Sequence, residues 1–135
     1  MNLINLKCFS DFRGSLVAIE SSNNIPFKIK RIFYVYGTKQ NVTRANHAHL
    51  KQNEFLIALN GKCKVTLDDG SIKKTFTLND PNVGLLKKSL TWVRIFDFSE
   101  DCVLLVVADG KYDLEDYITD YSEFISTITN DSKDK

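Results

Sequence analysis

One alternating run around a tight turn limits the fold of this chain more than any other feature. Along "KCKVTLDDG", residues 62–70, apolar and polar side chains alternate up to the turn. That period of two is typical of a strand with one buried face. Asp69-Gly70 is a strong hairpin signal, and "SIKKTFTL" returns from it. The segment therefore predicts two antiparallel strands joined by a turn.

Short apolar runs separated by turn residues recur along most of the chain. They read "SLVAIE", "KIKRIFYVYG", "EFLIALNG", "VGLLKK", "WVRIFDFS" and "CVLLVVADG". The nearly continuous "VLLVV" predicts a strand that is covered on both faces. Seven or more short strands indicate an all-β sandwich or small barrel, and a jelly roll is the leading candidate.

The C-terminal part of the sequence changes its pattern. From Leu114 onward the segment "LEDYITDYSEFISTI" has apolar side chains at spacings of three and four, namely Ile118, Tyr121, Ile125 and Ile128. This one-sided stripe predicts a short amphipathic helix. We expect Asp113 to cap its first turn.

The composition places the chain among soluble globular proteins of one domain, residues 1–135. Hydrophobic residues make up 43% and charged residues 26% of the chain. A net charge of +1 gives no general attraction to nucleic acid or to an anionic membrane. An anionic ligand therefore has to be held by a few well-placed cations.

Cysteine usage and the N-terminus point to the cytoplasm. The three cysteines are odd in number, and Cys63 and Cys102 lie in apolar runs, which favours reduced, structural thiols. The N-terminal segment "MNLINLKCFSDFRG" has neither the long apolar core nor the cleavage site of a signal peptide. Nor does any run approach the roughly 18 apolar residues of a spanning helix.

Both histidines of the chain lie in "RANHAHLKQNEF", residues 44–55. On a strand, His47 and His49 share one face, about 6.5–7 Å apart along the chain. By the same alternation, Tyr34 and Tyr36 share a face of the preceding strand. These four residue positions predict a convergent, titratable surface. Metal ligation, acid–base catalysis and simple strand polarity all remain open for it.

The spacing after the histidines resembles the first motif of the cupins: His-x-His, four residues, Glu, six residues, Gly. In metal-binding cupins the two histidines and the glutamate are ligands, and a later strand supplies a further histidine. This sequence has no further histidine. An open site made of His47, His49 and Glu54 remains an alternative, because such sets bind iron or zinc.

A closer resemblance covers roughly residues 11 to 125. The segments that carry it are "DFRGSLVAIE", "IPFKIKRIFYVY", "RANHAH", "LDDG", "VGLL…W…FDFSEDCVLLVVA" and "YDLEDYITDYSEF". Together they resemble the sugar-nucleotide 3,4-ketoisomerases, small cupins that act on dTDP-4-keto-6-deoxyglucose in deoxysugar biosynthesis for cell-surface glycans such as the lipopolysaccharide O-antigen. The resemblance implies a cupin jelly roll without metal or other cofactor. It also implies a homodimer whose subunits exchange N-terminal strands.

Three positions depart from the pattern of that family. Arg44-Ala45 stands where the family often has Arg-Gly before the histidines. Val93-Arg94 follows Trp92, where some members have a His-Glu pair. Glu54 stands where some members carry glutamine.

The implied reaction gives the candidate catalytic residues their roles. Moving a ketone from C4 to C3 requires removal of the C3 proton, an enediol or enediolate, and delivery of a proton to C4. Histidine suits this shuttle because its ordinary pKa is about 6.5. We assign His49 as the base at C3 and His47 to the proton at C4 or at the enediolate oxygen. Tyr36 or Tyr34 is the predicted hydrogen-bond donor to the oxyanion.

The remaining candidates would hold the nucleotide part of the dTDP-sugar. Arg44 is the first candidate for the diphosphate, because a planar guanidinium matches phosphoryl oxygens. Arg13 is a second candidate cation. Trp92 is a candidate for stacking on the base, with packing in the core as the other interpretation.

Three alternatives to the ketoisomerase prediction stay open at this point. They are a metal-dependent cupin that uses His47, His49 and Glu54, a nucleotide-sugar 3,5-epimerase, and a non-catalytic module that binds a nucleotide sugar. Within the ketoisomerase prediction, the product has either the gluco or the galacto configuration at C4, and we favour galacto.

Overall fold

Two five-stranded antiparallel sheets face each other in the computed structural model, which describes residues 2–133. The first sheet contains, in spatial order, β1 (Asn2–Asn5), β9 (Val83–Lys87), β6 (Glu54–Asn60), β11 (Val103–Ala108) and β4 (Arg31–Tyr36). The second contains β12 (Tyr117–Ile118), β5 (Arg44–His49), β10 (Trp92–Phe96), β7 (Cys63–Asp68) and β8 (Lys73–Leu78). This architecture confirms the predicted all-β fold. Within the described range, every helix is too short or too polar to cross a membrane.

A third, separate element is the hairpin of β2 (Cys8–Asp11) and β3 (Gly14–Val17). It forms a two-stranded sheet of its own. At its turn the side chain of Phe12 is 98% exposed. A hairpin with so little of its apolar surface covered is marginally stable by itself.

The predicted turn at Asp69-Gly70 connects β7 and β8. The Asp69 carboxylate accepts hydrogen bonds from the backbone amides of Ser71 and Ile72. Gly70 has a φ of +90°, a left-handed conformation that glycine adopts without strain. The hairpin that the turn residues predicted is therefore confirmed.

The main core lies between the two sheets. It is formed by inward-facing aliphatic and aromatic residues of both sheets, among them Leu56, Val65, Leu67, Leu85, Val93 and Leu104. Cys63 and Cys102 are buried in the same cluster as free thiols. Burial raises the pKa of the Cys63 thiol to about 12, so this cysteine is an apolar core residue and not a nucleophile.

The outer face of the first sheet is covered by the segment that precedes β4. Ile25 is fully buried there, and Phe27 and Ile29 pack against the same cluster. Strand β11 therefore places Leu104 and Val106 in the main core and Val107 in this outer cluster. The prediction that "VLLVV" is covered on both faces is confirmed.

The C-terminal helix begins later than predicted. Leu114–Asp116 is a 3-10 turn capped by Asp113, and the next two residues form β12. The α-helix, α1, spans Tyr121–Lys133, and the Asp120 carboxylate accepts from the Glu123 amide at its start. Ile118 belongs to β12 and not to the helix, because it pairs with Ala48 of β5 and is buried in that position.

Candidate active site

A cavity of about 200 Å³ opens between the two sheets, where β4 approaches β5. Its walls are mostly apolar and come from both sheets. Its polar lining consists of Arg44, His47, Glu54 and Tyr117. A wider, open groove of about 860 Å³ lies beside the β4–β5 loop, but neither histidine lines it.

A β-bulge in β5 shapes one wall of this cavity. His47 pairs with Val93 and Ala45 with Arg94, so Asn46 is an extra residue in the strand. Ala45 and Asn46 both have left-handed backbone conformations, with φ of 72° and 57°. In a regular strand, residues 44 and 47 would face opposite sides. The bulge places Arg44 and His47 on the same cavity.

The two histidines lie side by side at the end of β5, with ring centroids 5.1 Å apart and nearly perpendicular planes. His47 is half-buried and lines the cavity. His49 is 0% exposed. Its Nε2 atom lies 3.8 Å from Oε1 of the cavity-lining Glu54 and has no hydrogen-bond partner among residues 2–133. His47 therefore forms part of the cavity wall, and His49 lies buried beside it.

The other ring nitrogen of His49 is held by a carboxylate. Nδ1 of His49 lies 3.0 Å from Oδ2 of Asp116. The same carboxylate accepts from the backbone amides of Lys51 and Gln52. An ionised carboxylate only accepts hydrogen bonds, so Nδ1 carries the proton and Nε2 carries the free lone pair. Asp116 thereby fixes the tautomer in which Nε2 is free to accept a proton.

Burial keeps both histidines uncharged at neutral pH. Burial lowers the pKa of the His47 imidazole to about 4, and the positive charge of Lys87 acts in the same direction. The pKa of His49 is also lowered, again mainly by burial and next by Lys87, although Glu54 and Asp116 oppose the shift. Two neutral imidazoles beside a cavity are competent proton acceptors.

Tyr117 packs its phenol ring against both histidines and lines the same cavity. Its ring centroid lies 4.8 Å from that of His47 and 4.4 Å from that of His49. The pairing of β12 with β5 sets this position, because Tyr117 is the register partner of His49. Burial raises the pKa of Tyr117, so the phenol stays protonated and able to donate.

Each carboxylate oxygen of Glu54 lies near a positively charged side chain. Oε1 lies 3.4 Å from Nζ of Lys87, and Oε2 lies 4.0 Å from Arg31. The oxygen nearest to His49 is thus shared with an ammonium group. In the part of the chain that the structure describes, no three His, Cys, Asp or Glu side chains are grouped as metal ligands. The residues present do not fit the predicted alternative of a three-ligand metal site.

The tyrosines predicted from β4 lie outside the cavity. Tyr34 is 64% and Tyr36 71% exposed, on the outer face of the strand. Alternation places Phe33 and Val35 on the cavity instead. The two tyrosines share one face, as predicted, but that face does not line this chain's own cavity.

Trp92 and Arg13 are also away from the cavity. Trp92 packs edge-on against Tyr121, with ring centroids 5.3 Å apart, and also contacts Phe124 of α1. It packs against the small core under the helix, which agrees with the packing interpretation, and stacking on a nucleotide base stays a prediction. Arg13 lies at the turn of the β2–β3 hairpin and pairs with Asp11.

Four residues of the site were not singled out from the sequence: Arg31, Lys87, Asp116 and Tyr117. Lys87 ends an apolar run and looks like a solvent-exposed strand end. Asp116 and Tyr117 fall in a segment whose spacing suggested helix. A carboxylate followed by a tyrosine, as in "LEDY", has no periodic pattern that would mark it in the sequence. Only the pairing of β12 with β5 brings Asp116 and Tyr117 to the histidines.

Comparison with known proteins identifies the family. The model of the family described as "FdtA: WxcM-like, C-terminal" matches residues 1–129. The chain belongs to this family. A curated member of similar sequence is the TDP-4-oxo-6-deoxy-alpha-D-glucose-3,4-oxoisomerase of Aneurinibacillus thermoaerophilus. It is 47% identical over 133 residues, which cover 98% of this chain and 96% of that protein.

Solved structures of 3,4-ketoisomerases share the fold. A histidine-to-asparagine mutant of QdtA from Thermoanaerobacterium thermosaccharolyticum, in complex with TDP-4-keto-6-deoxyglucose, is 41% identical. The match has a TM-score of 0.93 and covers 96% of this chain and 94% of that one. A 3,4-ketoisomerase from Helicobacter canadensis is 40% identical, with a TM-score of 0.92 and coverage of 95% and 96%. The cupin jelly roll is confirmed, and these relatives do not favour the three alternative functions.

Proposed function

We propose that this protein is a 3,4-ketoisomerase that converts dTDP-4-keto-6-deoxyglucose into a dTDP-3-keto-6-deoxyhexose. One observation carries the mechanism: the histidine on the cavity wall packs against a second, buried histidine whose tautomer is fixed by a buried carboxylate. The family supports the substrate, since the curated relative is named for the same keto sugar.

The first step removes the C3 proton of the sugar. The C4 carbonyl acidifies this proton, and the free Nε2 lone pair of His49 accepts it. Two carboxylates stabilise the imidazolium that forms, with Asp116 on Nδ1 and Glu54 3.8 Å from Nε2. The electrons of the C–H bond form the C3–C4 double bond, and the carbonyl oxygen at C4 becomes an oxyanion.

The oxyanion needs a donor inside the cavity. Tyr117 lines the cavity, packs against both histidines and has a raised pKa, so its hydroxyl is a protonated donor at the site. It therefore takes the role that the sequence suggested for Tyr36 or Tyr34. A donor placed where negative charge develops lowers the barrier more than one that binds substrate and transition state equally.

The second step returns a proton to C4. Protonation of the C4 oxygen gives the neutral enediol, whose C3 hydroxyl then loses its proton as the C3 carbonyl forms. His47, on the cavity wall, handles the proton at C4 or at the oxygen. Two protons leave the sugar and two return, so no redox cofactor is required. We propose that the reaction proceeds without a metal ion.

Arg44 is the proposed ligand of the diphosphate. The bulge brings its side chain to the cavity lined by His47. A guanidinium donates two parallel hydrogen bonds to phosphoryl oxygens. The sugar of the substrate would then lie between Arg44 and the histidines.

Incubation with dTDP-4-keto-6-deoxyglucose in D₂O tests the proposal. We expect a 3-keto sugar that carries deuterium at C4, with turnover unchanged by a chelator. Deuterium entering at C5 instead would identify an epimerase, and tight binding without exchange would identify a binding module. Proton coupling constants of the product formed in H₂O, which retains a proton at C4, give the C4 configuration. We propose galacto, and a gluco product would contradict that part alone.

We further propose a homodimer in which the N-terminal strands are exchanged. The β2–β3 hairpin exposes Phe9, Phe12 and Leu16, and β4 is an edge strand whose outer face exposes Ile32, Tyr34 and Tyr36. Apolar patches of this kind mark protein interfaces. A hairpin laid on the partner would cover both patches, and Arg13 at its turn would then approach the partner subunit's cavity.

Sedimentation of the protein tests the dimer. The wild type should have about twice the chain mass of 15.4 kDa. Ile32→Asp on the outer face of β4 should produce monomers. Ile72→Asp is the matched control, because Ile72 is equally exposed in the β7–β8 turn, at 60% against 59%. A dimer unaffected by Ile32→Asp would contradict the proposed interface.

The cytoplasm is the proposed location. Cys63 and Cys102 lie buried in the same core cluster, and both are free thiols. Neighbouring thiols stay reduced in the cytoplasm, whereas an oxidising compartment favours disulfides. Three titratable thiols in the unfolded protein, prepared from its own cells without reductant, would support this location.

A further inference from the structure

A fully buried ion pair lies beneath the histidines. Glu54 and Lys87 are register partners across β6 and β9. Nζ of Lys87 lies 3.4 Å from Oε1 of Glu54, and Lys87 is 0% exposed. Its Nζ has no hydrogen-bond partner within residues 2–133. Burying an ammonium group is costly, so a lysine kept in this position calls for an explanation.

The pair is joined to the site through a single oxygen atom. Oε1 of Glu54 lies between Nζ of Lys87, at 3.4 Å, and Nε2 of His49, at 3.8 Å. Glu54 also lines the cavity. The carboxylate of Glu54 is therefore adjacent both to Lys87 and to the nitrogen that we propose accepts the C3 proton.

The two charges act on the histidines in opposite directions. Lys87 lowers and Glu54 raises the pKa of both His47 and His49. Burial lowers the pKa of Lys87 itself, and Glu54 opposes that shift. The other charged or titratable groups around the histidines and the pair are Arg31, Arg44, Asp109, Asp116, Tyr112 and Tyr117.

We propose that Lys87 is a positioning residue whose charge offsets Glu54, so that both histidines stay uncharged in the empty cavity and remain able to accept a proton. Without Lys87, the carboxylates of Glu54 and Asp116 would both favour a protonated His49, which is no longer a base. Without Glu54, the imidazolium formed during turnover would lose one of its two carboxylates. The inference rests on the proposed function for its catalytic meaning, but the electrostatic coupling is measurable without substrate.

NMR titration of the imidazoles in the substrate-free protein tests the coupling. The chain has two histidines, so the spectrum contains two titrating side chains. We expect Lys87→Met to raise the histidine midpoints and Glu54→Gln to lower them, by about one pH unit for a charge this close. The double variant should return close to the wild-type values. Lys88→Met, at the exposed neighbouring position, is the matched control and should leave the midpoints unchanged.

A purely structural role for Lys87 gives a different result. Loss of packing would lower the thermal stability of both single variants, yet it would not move the midpoints in opposite directions. Shifts in the same direction, or no shifts, would overturn the proposal. If Lys87→Met does not fold, comparing Glu54→Gln with the double variant makes the same test, because the second substitution has to raise the midpoints again.

The acid limb of kcat/KM provides the catalytic readout. It should move to higher pH in Lys87→Met and return towards the wild type in Lys87→Arg, which retains the charge. Opposite NMR shifts in a protein that does not isomerise the sugar would leave the coupling intact and refute the proposed function. Isomerisation of the sugar with unmoved histidine midpoints would support the proposed function and refute the role proposed for Lys87.

Discussion

Nδ1 of His49 lies 3.0 Å from Oδ2 of Asp116, a residue 67 positions further along the chain. Two backbone amides from the loop after β5 donate to the same carboxylate. These two hydrogen bonds hold the Asp116 carboxylate in place, and the carboxylate in turn orients the His49 ring. The imidazole is held in one tautomer and one orientation, which is what a base of defined geometry requires.

Replacement of Asp116 should reduce turnover strongly. Asp116→Asn retains the shape of the side chain but allows the amide to donate to Nδ1, which favours the wrong tautomer. We expect kcat to fall by about 100-fold or more, the range for loss of general base catalysis, with little change in KM. Glu115→Gln, an exposed residue of the same 3-10 turn, is the control. Equal kcat values for the two variants would show that the dyad has no catalytic role.

The two histidines should differ in the step that they control. His49→Asn removes the proposed base and should abolish both ketone migration and exchange of the C3 hydrogen with solvent, while circular dichroism shows a folded protein. His47→Asn should slow delivery of the proton to C4 more than it slows exchange at C3. Turnover of His49→Asn within a few-fold of the wild type would refute the assignment of the base.

Arg44 should contribute to binding and not to chemistry. Arg44→Ala removes charged hydrogen bonds to the diphosphate and should raise KM roughly 10- to 100-fold, as expected for bonds of about 1.5–3 kcal/mol. kcat should stay near the wild-type value. Arg94→Ala alters an exposed arginine of the neighbouring strand β10 and serves as the control. Calorimetric titration with dTDP should show the same loss of affinity, and unchanged dTDP binding would contradict the assignment.

The bulge residue Ala45 should tolerate glycine with a gain in stability. Its φ of 72° is strained for alanine. Ala45→Gly relieves that strain but increases the entropy of the unfolded chain and removes a partly buried methyl group. We expect a net rise in the free energy of unfolding of about 0.5 kcal/mol, measured by urea denaturation. Ala48→Gly, in a regular and fully buried position of β5, should lower it.

Stability should fall as the pH decreases from 6.5 towards 4. The unfolded chain has an ordinary imidazole with a pKa near 6.5, whereas folded His47 has a pKa of about 4. In this window the unfolded state binds more protons than the folded state, so the free energy of unfolding decreases. The pKa of folded His49 is also lowered, so His49 contributes to the same decrease in the free energy of unfolding. Urea denaturation of His47→Gln should show a shallower decrease, and a wild-type curve that is flat between pH 6.5 and 5 would contradict the shift.

Local patterns predicted the fold because strands and turns depend on local physics. Three local patterns each predicted an element that the structure contains: the alternation in β7, the turn at Asp69-Gly70 and the apolar run of β11. The helix start was misplaced, because Ile118 has helical spacing from Tyr121 but pairs with Ala48 of β5. Long-range pairing outweighed the local pattern at that position.

The sequence predicted those relationships in the site that depend on the alternation of side chains along a single strand. Alternation puts His47 and His49 on one face without reference to the rest of the chain. It also puts Tyr34 and Tyr36 on one face, but it does not say whether that face is inside, and Phe33 lines the cavity instead. The contributions of Asp116 and Tyr117 depend on β12, a strand of two residues that is too short for a periodic signal.

The separation of His49 from Asp116 has a consequence for synthesis of the protein. A nascent chain that has emerged with all of β5 still lacks the carboxylate that orients His49, and 67 further residues have to emerge before the two can meet. The His49–Asp116 contact therefore cannot form until Asp116 has left the ribosome. A ribosome that stops before Asp116 releases a fragment that has both imidazoles but lacks the carboxylate that holds His49.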